Sequence, residues 1–122
     1  MAKEDDMLLS TIESWGIVDV DSTLRRFCGD KELFVFCIKE FAKDENFERM
    51  KIGFENKNYQ EAFETAHMLK GVLVNLGMNG IYNKVYNLVE LLRAGKYSEA
   101  DTFKNEVLQD FEDFKRKAAM LG

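Results

Sequence analysis

The sequence predicts an all-α protein, an antiparallel up-and-down four-helix bundle with one or two short N-terminal helices capping it. Three observations point there. No proline occurs in the 122 residues, whereas loop-rich chains usually carry several and helix interiors exclude it. Apolar residues recur at spacings of three and four along most of the chain, the period of a helix with one buried side. Glycines and short polar runs separate these stretches, leaving room for turns rather than long loops. Long helices joined by short turns pack as antiparallel neighbours, and four of them close a bundle.

Each block follows from local signals. The first spans about Asp5 to Trp15 and stops at Gly16. A short helix follows Asp21-Ser22, which can cap it, and ends at Cys28-Gly29. Asp30 then caps a long helix with Leu33, Phe34, Ile38, Phe41 and Ala42 among its apolar positions, expected to persist to about Lys51 or Phe54. Asn56 to Asn58 form the next turn. From Tyr59 the set Ala62, Ala66, Leu69, Leu73 and Leu76 makes a stripe that Gly77 ends, suited to the left-handed position after a helix. Beyond Asn79-Gly80, Ile81, Val85, Leu88 and Leu92 make another, closed by Ala94-Gly95. The last helix, about Ser98 to Ala119, is expected to bury Ala100, Phe103, Val107, Leu108, Phe111 and Phe114.

Composition fits a single domain over residues 1–122 and argues against several function classes. Seventeen basic against 22 acidic residues give a net charge of −5, and no basic cluster is available to displace counterions from nucleic acid. Arg25-Arg26 and Lys115-Arg116-Lys117 are flanked by acids and read as solvated helix faces. The charged start, Met1 to Asp6, lacks a signal peptide's apolar segment. The longest apolar run, Leu33 to Ile38, falls far short of the roughly 20 residues that span a bilayer. Cys28 and Cys37 match no zinc or redox spacing and are expected as reduced thiols in or near the core. The expected setting is the cytoplasm, without a membrane partner.

His67 is the only histidine. At about 100° per residue, it lies roughly 140° from the centre of the Ala62–Leu76 stripe, on the outward side. Phe63, Glu64, Lys70, Gly71 and Val74 share its face. Lys70, one turn on, could meet a phosphoryl group on the imidazole. Gly71 leaves space beside the ring for an incoming active site, at a cost of about 1 kcal/mol in helix propensity. Phe63 and Val74 offer apolar surface for docking. Imidazole keeps a neutral, nucleophilic fraction near neutral pH. Geometry alone favours an ordinary surface histidine beside a lysine, since such neighbours arise easily by chance. Other chemistry fares worse. Glu64-Thr65-Ala66-His67 matches half of a di-iron Glu-x-x-His pair, but there is no second histidine. No zinc set, nucleophile elbow or phosphate-binding glycine loop is present, so no metal site and no intrinsic cofactor are expected.

Ala66-His67-Met68-Leu69-Lys70-Gly71, followed by Asn75-Leu76-Gly77, resembles the histidine phosphotransfer (HPt) family: an accepting histidine, then lysine, glycine and a helix-ending glycine at fixed offsets. Tyr59 and Ala62 resemble its lead-in, and Leu92-Arg93-Ala94-Gly95-Lys96 the end of its next helix. Gly16-Ile17 and the segment Leu24 to Asp30 resemble its N-terminal region, so the likeness covers about residues 16–119. The resemblance implies a carrier in a two-component phosphorelay rather than an enzyme. His67, usually through Nε2 in this family, takes the phosphoryl group from a receiver phosphoaspartate and passes it to another receiver. It implies that Lys70 screens the transferring charge and Gly71 grants access. Magnesium belongs to the receiver.

The implied partners are response-regulator receiver domains, with a hybrid sensor kinase as a further candidate. A free-standing monomer is expected. One position departs from the pattern: Val89 stands where many members carry Glu or Gln, so either Tyr86 or Glu90 takes over orienting the ring or the ring is held less firmly. The alternative is a helical adaptor that docks a receiver or other partner through Phe63 and Val74 without phosphotransfer.

Overall fold

The computed structural model describes residues 2–122, with the side chains of its first helix described from Glu4 onward. Met1, included in the expected domain, lies outside the described residues. Among those residues the protein is all-helical, with seven helices and no strand: α1 (Ala2–Ser14), α2 (Val20–Arg26), α3 (Lys31–Phe41), α4 (Asn46–Glu55), α5 (Tyr59–Asn75), α6 (Asn79–Arg93) and α7 (Tyr97–Ala119).

α4 packs on α5, α5 on α6 and α6 on α7, while α7 also meets α4. α1 and α2 lie against each other and against α3, and α3 touches α7. Tyr59 and Tyr97, the first residues of α5 and α7, stack at 4.2 Å, so these two helices start at the same end. The predicted stripes of α5 and α6 are buried, Ala62, Ala66, Leu69, Leu73, Ile81, Val85 and Leu88 almost completely. Phe103 and Leu108, expected inside, are only half-buried on α7. Each large apolar side chain taken fully from water contributes about 1.5–3 kcal/mol.

The expected long helix after Asp30 is two helices. Asp30 caps α3 as predicted, its carboxylate accepting the Leu33 N–H at 3.0 Å. The chain then breaks after Phe41, and Asp44 accepts the Asn46 N–H at 2.7 Å as α4 begins. The break has an aromatic reason. Phe41 and Phe47 approach to 5.8 Å, and both pack on Phe111 of α7. Six residues of straight helix would hold them ~9 Å apart along the axis and on different sides. The turn lets both reach one cluster.

Two smaller expectations also change. Asp19, not Asp21-Ser22, caps α2: its carboxylate accepts the Ser22 N–H at 3.2 Å. That bond holds the Asp19 carboxyl below the usual aspartate range. Cys28 is exposed, because it sits in the turn after α2 with a φ of +56°. Cys37 is half-buried, and burial pushes its thiol up, keeping it protonated and poorly nucleophilic.

Candidate functional site

α5 is built to present one face and bury the other. Asn58 starts it, its side-chain oxygen accepting the Glu61 N–H at 3.2 Å. The inner face is lined by Ala62, Thr65, Ala66, Leu69 and Leu73. Thr65, the polar member, donates its hydroxyl to the Glu61 carbonyl at 2.8 Å, so nothing polar is left unpaired there. The alanines let α4 come close: a Cβ added to Gly53 would lie 3.0 Å from the Ala62 nitrogen. The far end is fixed by Gly77, whose φ of +68° suits glycine, and where any side chain would collide with the Thr23 hydroxyl. α2 completes the end: Arg26 donates to the carbonyls of Val74 at 3.1 Å and Asn75 at 3.4 Å, a cation at the negative pole of the helix.

On this clamped helix His67 points outward and is exposed, as the phase of the apolar stripe predicts. The residues expected around it share its face. Phe63 lies one turn before, its ring centre 6.0 Å from the imidazole. Lys70 lies one turn after. Gly71 opens on empty space: a Cβ placed there would meet nothing within 4 Å. Val74 is 44% exposed. Glu64 is also exposed, and its carboxylate accepts from Gln60 at 2.9 Å, along the helix.

Phe63 differs from the expected open docking residue. It is half-buried because α6 lays Arg93 across it, the guanidinium carbon 5.4 Å from the ring centre. Met68, which the sequence reading did not single out, is 50% exposed and supplies apolar surface instead. α6 also contributes Tyr86, 45% exposed, with the Lys70 ammonium 5.4 Å from its ring centre. Tyr82, Tyr86 and Arg93 follow one edge of α6 at helical spacing. That stripe was the available signal.

The departing position, Val89, and the two candidates for orienting the ring, Tyr86 and Glu90, are all occupied elsewhere. Val89 is fully buried in the core. Glu90 binds Arg93 at 3.0 Å, and Tyr86 lies under Lys70. Lys70 and Arg93 thus each lie over an aromatic ring, but of the two only Arg93 is paired with a carboxylate among the described residues.

Chemically, this is an accessible nucleophile on a rigid helix, with a positive charge one turn away and open space on the other side. No group of three His, Cys, Asp or Glu among the described residues could hold a metal ion. No helix among them is long and apolar enough to cross a membrane. No family model matches the chain, and neither a curated protein nor a solved structure matches it.

Proposed function

We propose that this chain is a histidine phosphotransfer protein, a cytoplasmic, monomeric carrier that takes a phosphoryl group on His67 from one receiver domain and gives it to another. In this reading α4 to α7 form the family's up-and-down four-helix bundle, and three helices, α1 to α3, cover one end where one or two were expected. The shared starting end of α5 and α7 supports that arrangement. The observation that carries the functional reading is the outward face of α5: the single histidine exposed, Lys70 one turn on, and open space at Gly71.

The step needs little from the carrier. The lone pair of one imidazole nitrogen forms the N–P bond as the P–O bond of the receiver's acyl phosphate breaks. The aspartate leaves as a carboxylate and the ring takes up the positive charge. Lys70 offsets the phosphoryl charge as it arrives, and the empty space beside Gly71 admits the receiver's active site. The receiver supplies magnesium and most of the electrostatic stabilisation.

The test is transfer from a panel of magnesium-loaded, phosphorylated receivers to wild type and His67→Gln, followed by mass spectrometry and acid lability. Acid-labile phosphate on wild type alone is the expected result. Phosphate on His67→Gln overturns the site. If neither a receiver nor phosphoramidate labels wild type, the chain is an adaptor that binds without transfer.

A further inference from the structure

We infer that Tyr86 is the positioning residue for Lys70: its ring seats the ammonium, one helical turn from His67, as a charge that is held but not neutralised. The inference rests on the carrier reading. Its starting point is the contrast between the two cations of the site. Arg93 lies over Phe63 and is also bonded to Glu90, so its charge is already answered. Lys70 lies over Tyr86, and the residues one turn either side of it, Ala66, His67, Leu73 and Val74, include no acid.

The distinction matters for phosphate. A carboxylate seat would hold Lys70 equally well but compete with the arriving phosphoryl group for the ammonium. A free lysine would keep its full charge but spread it over many rotamers, losing the entropy of fixing them at each transfer. An aromatic face avoids both: it attracts the cation weakly, leaves its charge intact and confines it. Tyr86 comes from α6 and Lys70 from α5, so the seat depends on the packing of those two helices. It is the neighbouring helix that tunes the cation one turn from the nucleophile.

The experiment uses phosphoramidate, which needs no receiver docking. Imidazole forms the N–P bond as the donor's own P–N bond breaks and ammonia leaves. Rates of His67 phosphorylation are compared for wild type, Tyr86→Phe, Tyr86→Leu, Lys70→Ala and the Tyr86→Leu/Lys70→Ala double variant. Circular dichroism checks that all are folded, and NMR follows the Lys70 ε-methylene protons, which a ring beneath them shifts upfield. Tyr86→Phe should match wild type in rate and shift. Tyr86→Leu should lose the upfield shift and react roughly two- to fivefold more slowly. In the Lys70→Ala background it should add nothing. Equal rates for Tyr86→Leu and wild type, or slowing that persists without Lys70, overturns the role of Tyr86 while leaving the carrier intact. Failure of wild type itself to be labelled removes the carrier reading and this inference together.

Discussion

The two faces of α5 obey different rules. The inner face carries small and branched side chains packed to exclusion of solvent, down to a backbone contact where Gly53 of α4 meets Ala62. The outer face carries a histidine, a glycine with nothing beside it, and a lysine held only by an aromatic ring. One face is optimised against voids, the other preserves one. The lesson is that residues of the same type on neighbouring elements, above all Gly53 and Gly71, have opposite reasons to be there.

The strongest way to break the contrast is on the inner side. Leu69→Ala should cost about 2–5 kcal/mol in denaturant unfolding, because it opens a cavity in a fully buried layer. His67→Gln, two residues away but outward, should leave the unfolding midpoint nearly unchanged. Next in size is a steric probe of the void. Gly71→Leu should lower transfer from a cognate receiver by about tenfold or more, yet leave labelling by phosphoramidate near the wild-type rate. Equal loss with both donors means that the empty space serves no docking.

The two glycines themselves give opposite signs under one substitution. Gly71→Ala adds a methyl into open space and gains helix propensity, so it should stabilise by up to about 1 kcal/mol. Gly53→Ala must move backbone at Ala62 and should destabilise by about 1–2 kcal/mol net of that gain. The same sign at both positions, read by thermal unfolding, removes the comparison.

The smallest effect is electrostatic and sits where α2 supports α5. Asp19 has its folded pKa depressed, chiefly by accepting the Ser22 N–H. Its contribution is therefore complete above the ordinary aspartate range and fades as acid takes the pH through and below it. Wild type should lose its advantage over Asp19→Ala in that window. An advantage that stays constant into strong acid means that the ionised carboxylate is not what caps α2.

The outer face was legible because helical phase is local arithmetic: Ala62, Ala66, Leu69, Leu73 and Leu76 fix where His67 must point. The helix ends at Gly77 and Gly95 were legible too, since both glycines adopt the left-handed backbone that ends a helix. The α3–α4 break was missed because apolar residues continue through it. Its signal was a change of phase: Phe47 does not fall on the side set by Phe34, Ile38 and Phe41 if the helix runs straight. The seat of Lys70 was beyond local reading, because it depends on how α6 is rotated against α5. Tyr86 appeared in the sequence as a candidate to orient the imidazole, and only the packing places it under the lysine instead.

The clamp at the end of α5 makes α2 more than a cover. Asp19 donates its N–H to the Gly77 carbonyl at 2.8 Å, and Arg26 holds the carbonyls of Val74 and Asn75. The seven residues of α2 and the final turn of α5 are joined through groups far apart in the chain and should open as one cooperative unit. Amide hydrogens around Leu76 and Met78 should exchange with deuterium in step with those of α2. Trimming the chain past Arg26 would loosen the histidine's helix from its distant end without touching the imidazole.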